Sequence, residues 1–377
     1  MKILVLTDDN ISHSHGTGAV LLKIMGNHPS EFLAHGYLNK VSATVMENSF
    51  HISVSDTSDN LSQTASAIFQ HLDKTGFHPD LIYSNFYGVA GLRVLHAIIE
   101  NSATLPPVIQ HFHDLRIDSK NELFCLLARI QSRIARLWVL THRMAQQLKE
   151  SHIHKPIEIF NSFSSPEIPH PKQIHYPFTP RFKAVMLGNV WMPQVMPTLR
   201  MTWRALCNTM PGLGPIQWYS HPFSVENLKR NGQETGFEIK HLGFAPVLSE
   251  VLPKADIAVV PFNLKDPPEN DYAKCSLPSR LAELTMAGLP IFAIASPGTS
   301  VRDFIIQNGI GTCACPSDGN SALYKSLSDL AADQERRKEF GEKARSLALA
   351  EYDMKRIRKK YFDAFTQTLS ESKGKRI

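Results

Sequence analysis

Segment 276–290 holds the most chemically informative residues of the chain: Ser-Leu-Pro-Ser-Arg-Leu-Ala-Glu-Leu-Thr-Met-Ala-Gly-Leu-Pro. Pro278 and Ser279 are residue types that open helices, and Gly288, with a proline two positions later, is a type that ends them. Glu283 falls inside this predicted helix among apolar neighbours, where a carboxylate needs a partner. The two hydroxyls of a ribose would provide one, and so would a helix cap or a salt bridge within the protein.

A second polar group, His111-Phe-His-Asp114, belongs to a predicted strand that begins at Val108. Alternation places both histidines on the same side of the strand, and it places His113 and Asp114 at the carboxyl end. An imidazole at that position can serve an active centre, or it can cap a helix or bond a main-chain carbonyl. A less favoured alternative is a metal site with four histidine ligands: His13, His15, His111 and His113.

A third candidate, Gly16-Thr17-Gly18, lies between the predicted first strand, Ile3 to Leu6, and a helix predicted from about Ala19. Glycines at this position let the backbone approach a phosphate or a sugar, and the dipole of the following helix favours negative charge. A plain tight turn is the alternative, because a lone Gly-x-Gly pattern is a weak signal.

The bulk composition indicates a globular protein of two domains. The chain has 377 residues, of which 43% are hydrophobic and 20% charged, and its net charge is +5. No apolar run approaches the roughly 18 residues that a transmembrane helix needs. The apolar run at the start is short and ends in Asp8 and Asp9, unlike a signal peptide. The five cysteines form no Cys-x-x-Cys pair, which suits a reducing cytoplasm.

The mild positive charge fits an anionic small ligand or an anionic lipid surface, and no feature of the sequence indicates a nucleic-acid partner. Its densest part lies in a helix predicted from about Met354, opposite an apolar face. We expect a solvated helix face, with a peripheral membrane contact as the minority alternative, from these residues: Lys355, Arg356, Arg358, Lys359 and Lys360.

Strands and helices alternate in both halves of the chain, which predicts parallel sheets with helices on both faces. In the first half, the predicted strands are 3–6, one or two within 41–56, 80–84, 108–113, 137–140 and 157–160. The predicted helices there, after the first one, are 61–72, 89–99, 122–134 and 144–148. In the second half, the predicted strands are 183–187, 215–219, 238–242, 256–260 and 291–295. The predicted helices there are 199–206, 247–252, 278–287, 301–307, 322–330 and 334–349. Residues 164–181 hold five prolines and are predicted to be a linker.

Segment 276–290 resembles a pattern of GT-B glycosyltransferases, particularly the retaining family 4 group: Pro-Ser-Lys/Arg-Leu-x-Glu-x-x-x-x-Gly-x-Pro. The residues that fit it are Pro278, Ser279, Arg280, Leu281, Glu283, Gly288 and Pro290. The resemblance implies a GT-B fold, an α/β architecture of two doubly wound Rossmann-like domains that face each other across a cleft. The implied parts are an acceptor-side domain 1–163, a linker 164–181, a nucleotide-sugar domain 182–354, and a terminal helix 355–377 that returns to the first domain.

The resemblance also implies roles for individual residues. Glu283 would bind the donor ribose, His113 would face the donor sugar, and Asp114 would orient the acceptor or a nearby base. Segment 16–18 would match the family's glycine loop on the acceptor and phosphate side. Further implied donor contacts are Lys274, Ser276, Leu277, Pro278, Ser279, Arg280, Gly188, Asn189, Ser220, His221 and Phe244.

Three features depart from the family pattern. Cys275 stands where many members have a further glutamate, and the loop 263–273 is longer than usual. Asn189 stands where the family has an arginine after glycine, and no lysine follows it. A departing diphosphate needs cations or hydrogen-bond donors. The candidates elsewhere in the chain are Lys274, Arg280, Arg116 and the amides that open the helix 278–287.

The resemblance therefore implies a glycosyltransferase that acts with retention and without a metal or cofactor, and the cysteine pattern and the absence of a membrane span favour the cytoplasm. The expected donor is a UDP- or GDP-linked sugar, and the expected acceptor is a hydroxyl of a glycan, a lipid-linked molecule or a protein. Two alternatives stay open. One is another GT-B enzyme, such as a sugar-nucleotide epimerase or a phosphorylase, and the other is a degenerate transferase that only binds a partner or a glycan.

Overall fold

The computed structural model divides into two compact units, Met1–Ser162 with Lys355–Ile377 (unit 1) and Phe163–Met354 (unit 2). The structure describes residues 1–11, 16–26, 28–39, 48–53, 58–102, 104–115, 120–168, 183–188, 203–204, 208, 214, 216–220, 238–240, 247–262 and 274–374.

Seven parallel strands of the described residues form the sheet of unit 1, in the order β3-β2-β1-β4-β5-β6-β7. Their bounds are β1 Ile3–Asp9, β2 Leu33–Asn39, β3 Ser49–His51, β4 Leu81–Asn85, β5 Val108–Phe112, β6 Ile134–Val139 and β7 Ile157–Ile159. Strands β1, β4 and β5 are buried along their whole length, as expected for a parallel sheet covered on both faces.

Five helices of the described residues follow these strands. They are α1 Gly16–Met25, α2 Ser58–Lys74, α3 Val89–Glu100, α4 Lys120–Ile130 and α5 His142–Glu150. At the start of α5, the hydroxyl of Thr141 accepts a hydrogen bond from the amide of Met144 at 3.2 Å.

The last helix, α10 (Met354–Gly374), packs onto the sheet of unit 1. Tyr361 and Phe365 are fully buried and lie against aromatic side chains of the strands, including Tyr83 and Trp138. At the end of the helix, the guanidinium of Arg136 contacts the carboxylate of Glu371 at 3.0 Å. The apolar stripe read from the sequence is therefore the face by which this helix is held.

Six parallel strands of the described residues form the sheet of unit 2, in the order β10-β9-β8-β11-β12-β13. Their bounds are β8 Ala184–Leu187, β9 Gln217–Tyr219, β10 Glu238–Lys240, β11 Ile257–Pro261, β12 Ile291–Ile294 and β13 Gly311–Ala314. The helices are α6 Leu281–Met286, α7 Ser300–Gln307, α8 Asn320–Ala332 and α9 Gln334–Glu351. Among the described residues, the large side chains of its core include Trp203, Trp218, Phe292 and Phe340.

In both sheets the strand order reverses beside the first strand of the unit, between β1 and β4 in unit 1 and between β8 and β11 in unit 2. In doubly wound sheets, ligands bind outside the carboxyl ends of the strands at this reversal. A ligand is therefore expected outside the residues that follow β1 and β4 in unit 1 and β8 and β11 in unit 2. Strand β5 adjoins β4 on the side away from β1.

Most predicted elements are present, and two differences are informative. Strand β2 was not predicted, because polar His35 and the small Gly36 interrupt its apolar pattern. Both are explained by close packing: His35 is buried and bonds Thr7, and a Cβ on Gly36 would lie 2.8 Å from a methyl of Ile52. Segment 247–252 forms a π-helical turn and a 3-10 turn instead of a regular helix.

Other differences concern boundaries. Helix α1 begins at Gly16 and not near Ala19, so the glycine pair lies in its first turn. The predicted helix 199–206 and most of the predicted linker 164–181 lie outside the described residues. Within the described part of the chain, no helix is both long and apolar enough to span a bilayer.

Candidate functional site

His113 follows the carboxyl end of β5 in unit 1, and its side chain is buried. It is 4% exposed, and neither ring nitrogen has a hydrogen-bond partner in the described structure. Burial lowers its pKa to about 3, so the imidazole is neutral at physiological pH. Asp114, the next residue, is half-buried. A buried polar ring without partners costs stability, which a bound ligand with hydroxyl groups would recover.

His111, two residues earlier, bonds a main-chain carbonyl, which is the structural role considered above as an alternative for His113. Its Nε2 donates to the carbonyl oxygen of Phe160 at 3.0 Å, because a carbonyl can only accept. Its Nδ1 is then an acceptor with a single lone pair, and the hydroxyls of Tyr83 and Tyr361 lie 2.9 and 3.1 Å from it, so that one of them can donate to it at a time. Burial holds the pKa of His111 well below its usual value. The two imidazole rings meet edge to face, with centroids 4.5 Å apart.

Asn85 ends β4, the neighbour of β5, and sequence reasoning did not single it out. Its side-chain amide donates to the carbonyl oxygen of His111 at 2.6 Å. Its Oδ1 is buried and has no partner in the described structure. The signal in the sequence was a polar residue directly after a buried apolar strand, which by itself is common.

Two carboxylates end β1, and both are engaged by the protein. Asp8 Oδ2 accepts from the backbone amides of Tyr87 and Gly88, at 2.6 and 3.2 Å, where α3 begins. Asp9 accepts from the hydroxyl of Tyr87 and from the side-chain amide of Asn39. The carboxyl end of β1 is therefore acidic. The glycine pair 16–18 opens α1 after this strand, with Gly18 buried and Thr17 half-buried.

In unit 2, the predicted helix is shorter than expected. It begins at Leu281, because Pro278 and Ser279 form a tight turn whose carbonyls accept from residues three positions later, at 3.0 and 3.1 Å. Ser279 is therefore not its cap. The predicted end is confirmed: Gly288 has φ of +71°, a conformation that favours glycine.

Glu283 lies in the middle of α6, and every residue of that helix is buried. The side chain is 5% exposed, as the apolar neighbours predicted. Arg345 from α9 holds the end of the helix, since its Nη1 donates to the carbonyl oxygens of Met286 and Ile168. This cation at a helix C-terminus also complements the helix dipole, and the sequence contained no signal for it.

Arg280 and Gly188, which are far apart in sequence, are brought together. Arg280 precedes α6, and its Nη1 donates to the carbonyl oxygen of Leu187, the last residue of β8. The same Nη1 lies 3.4 Å from the position that a Cβ of Gly188 would occupy. A cation is therefore present at the carboxyl end of β8, directly before Asn189, the position at which the expected arginine is missing.

The other predicted donor residues are less informative. Ser276 is buried, whereas Leu277, Pro278 and Ser279 are half-buried. The carbonyl oxygen of Lys274 accepts from the hydroxyl of Ser300 at 3.1 Å, which joins this turn to α7. Four predicted positions lie outside the described residues: Asn189, His221, Phe244 and Arg116.

Metal binding has no support from the described side chains, among which no three potential ligands cluster. His13 and His15, named above for a four-histidine site, lie outside the described residues.

The chain matches no family model and no curated protein by sequence. Solved structures are nevertheless similar over almost the whole chain. A glycosyltransferase from Rickettsia africae has 12% identity and a TM-score of 0.67, and the match covers 98% of each chain. HepE from Anabaena, solved with UDP and glucose, has 12% identity and a TM-score of 0.66, with 97% of this chain and 99% of that chain covered.

Sucrose-phosphate synthase from Thermosynechococcus elongatus has 12% identity and a TM-score of 0.67, with 98% of this chain and 100% of that chain covered. Identities this low carry information about the fold and not about the substrate. The resemblance noted for segment 276–290 is confirmed at that level: the chain has the GT-B fold of glycosyltransferases.

Proposed function

We propose that this protein is a glycosyltransferase that moves a sugar from a nucleotide-sugar donor to an acceptor hydroxyl. The observation that carries the proposal is His113, a buried, neutral imidazole at the carboxyl end of β5 with no partner for either nitrogen in the described structure. One sugar hydroxyl can donate to the unprotonated ring nitrogen, and a second can accept from the protonated one. The GT-B fold supports the same function.

The donor nucleotide is assigned to unit 2 in this proposal. Glu283 is a buried carboxylate, which accepts hydrogen bonds strongly and suits the two ribose hydroxyls. The turn 276–279 would place its amides near the phosphates. HepE, one of the similar structures, was solved with UDP and glucose, which supports a UDP-linked donor, with a GDP-linked donor as the alternative.

The acceptor is assigned to unit 1, and transfer is proposed to proceed with retention. Departure of the diphosphate leaves an oxocarbenium-like centre, and the acceptor hydroxyl attacks from the face that the diphosphate leaves. With a pKa of about 3, His113 would bind and orient a hydroxyl rather than take its proton. Asp114 would orient the acceptor, which we expect to be a glycan, a lipid-linked molecule or a protein.

The test compares His113→Ala with the wild-type protein, using UDP-sugars and GDP-sugars and a panel of acceptors. We expect kcat to fall about 100-fold while the Kd for the free nucleoside diphosphate stays within about 3-fold, since His113 is proposed to contact the sugar and not the nucleotide. His154→Ala is the control, because His154 is an exposed histidine of the same unit. Wild-type turnover in His113→Ala would contradict the proposal.

Glu283 is tested through the ribose itself. The wild-type protein should bind UDP more tightly than 2′,3′-dideoxy-UDP, and Glu283→Gln should lose most of this preference, because its amide is a weaker acceptor. Glu339→Gln, a change at an exposed carboxylate of α9, should keep it. An unchanged preference in Glu283→Gln would remove Glu283 from the donor site.

Product analysis separates the proposal from its alternatives. A transferase needs an acceptor and forms a new glycosidic bond, whose anomeric signal by NMR shows retention or inversion. Conversion of the donor without any acceptor would indicate an epimerase, and a requirement for phosphate would indicate a phosphorylase. A protein that binds neither nucleoside diphosphate would be a degenerate transferase.

A further inference from the structure

The carboxyl end of β8 is the place in unit 2 where a phosphate group is expected. Strand β8 lies beside the reversal of strand order, and ligands of doubly wound sheets bind outside the strand ends at that point. Gly188, the residue after the strand, has φ of +74° and carries no side chain that could fill the space. Its amide bonds the carbonyl oxygen of Tyr219 at 2.8 Å, and its carbonyl oxygen bonds the indole of Trp218 at 2.7 Å.

Arg280 supplies positive charge at this strand end. Its Nη1 donates to the carbonyl oxygen of Leu187, and the same atom is the nearest one to the absent Cβ of Gly188, at 3.4 Å. A guanidinium has five N–H donors in a planar fork, so one group can bond a carbonyl and a phosphate oxygen together. The bond to Leu187 thus fixes the cation where a phosphate is expected.

A second arginine of unit 2 makes a similar bond at a different strand. Arg302 from α7 donates through Nη1 to the carbonyl oxygen of Ala295, the residue after β12, at 3.2 Å. Strand β12 is separated from β8 by β11, so this arginine does not lie at the reversal. Each arginine donates to a carbonyl oxygen at the end of a strand, but Arg280 does so at β8 and Arg302 at β12. Arg302 is therefore a matched control for Arg280.

We propose that Arg280 binds the diphosphate of the nucleotide-sugar donor and takes the place of the arginine missing at position 189. This inference rests on the proposed function. In the reaction, the bond between the sugar anomeric carbon and the diphosphate oxygen breaks, and its electron pair stays on that oxygen. The acceptor oxygen forms the new bond to the carbon, and its proton leaves with the diphosphate. Arg280 stabilises the negative charge that the diphosphate gains.

The experiment measures by calorimetry how much the phosphates contribute to binding. The probes are UDP, UMP and uridine, together with the guanosine series, and the readout is the ratio of the Kd for the nucleoside to the Kd for its diphosphate. We expect Arg280→Met to lower this ratio about 10- to 100-fold, with nucleoside binding unchanged, because a charged hydrogen-bond donor to the phosphate is lost. Arg302→Met should keep the wild-type ratio.

The outcomes separate the two proposals. If the wild-type protein binds neither diphosphate, the proposed function itself fails. If the wild-type protein prefers diphosphate over nucleoside and Arg280→Met shows the same ratio, the function stands and the role of Arg280 is refuted. Should Arg280→Met not fold, Arg280→Lys decides the matter: an intermediate ratio is expected, since an ammonium keeps the charge and loses the fork, and an unchanged ratio overturns the inference.

Discussion

The two units share a strand order around their first strand, yet the carboxyl ends of those strands carry opposite charge. In unit 1, β1 ends in Asp8 and Asp9, whereas in unit 2, β8 ends beside the guanidinium of Arg280. In unit 1, the first amides near α3 are bonded by the protein's own Asp8 carboxylate. The same topology thus carries different charge at its strand ends, and under the proposed function unit 2 would bind an anion and unit 1 a neutral, hydroxyl-rich molecule.

Buried histidines make a second contrast between the units. His35, His111 and His113 are buried in unit 1, and all are neutral because burial lowers their pKa values. The described part of unit 2 contains no histidine.

Acidification should destabilise unit 1 before unit 2. Burial lowers the pKa values of His35 and His113 to about 3, whereas in the unfolded chain a histidine titrates near 6.5. The unfolded state therefore binds more protons below pH 6.5. The stability that each histidine contributes is complete above that pH and is lost as the pH falls toward 3, by about 1.4 kcal/mol per pH unit.

Hydrogen exchange at pH 7 and pH 5 measures this effect, and amides of β1, β4 and β5 should lose protection before those of β8, β11 and β12. His35→Gln should reduce the loss of stability between pH 7 and pH 5 by the amount that one buried histidine contributes. His154→Gln, at an exposed position, should leave this loss unchanged. Equal loss of protection in both units would show that these histidines do not set the acid response.

Reversal of the charge at the end of β8 should give unit 2 an acidic strand end, like that of β1 in unit 1, and should weaken nucleotide binding. In Arg280→Glu, a carboxylate would face the diphosphate, so we expect affinity for UDP or GDP to fall at least about 100-fold, or about 3 kcal/mol. Uridine and guanosine should bind as before. The matched change, Arg302→Glu, should have much less effect, and similar losses in both variants would mean that overall charge matters and not the position at β8.

Removal of the carboxylate at β1 tests whether its role is structural. Asp8→Ala leaves the amides of Tyr87 and Gly88 without their acceptor, so we expect the free energy of unfolding to fall by about 2 kcal/mol in urea titrations. Nucleotide affinity should not change. Asp363→Ala, which removes only an exposed helix ion pair, should cost less than about 0.5 kcal/mol. A large loss of nucleotide affinity in Asp8→Ala would break the contrast between the units.

The smallest effect is expected at Gly188. Gly188→Ala places a methyl group at φ of +74° and 3.4 Å from Arg280 Nη1, which should cost about 1 kcal/mol of stability and weaken diphosphate binding. Gly298→Ala provides the control, because Gly298 has φ of +76° and nothing within 4 Å of its absent Cβ. Weaker diphosphate binding in Gly188→Ala alone would show that the contact with Arg280 matters. Equal binding in both variants would contradict it.

Most of the fold could be predicted from the sequence because its signals are local. Apolar runs and helical periodicity indicated most strands and helices, and Gly288 marked the end of α6 through a positive φ that glycine tolerates. Strand β2 escaped prediction because its pattern reflects neighbours: buried His35 bonds Thr7 and Ser49, which are remote in sequence. Periodicity cannot show such a partner.

For the candidate site, the sequence by itself determined which residues end the strands and where α6 ends, because strand alternation and helix signals depend on adjacent positions. Only the tertiary structure decided their partners. In the folded protein, His111 bonds a main-chain carbonyl, whereas the ring nitrogens of His113 have no partner among the described residues. The fold also places the side-chain amide of Asn85 against the main chain of His111, and it brings Arg280 to the end of β8. The physical reason is that hydrogen bonds and charges act across space. They join residues that the strand order brings together, although those residues are far apart in the sequence.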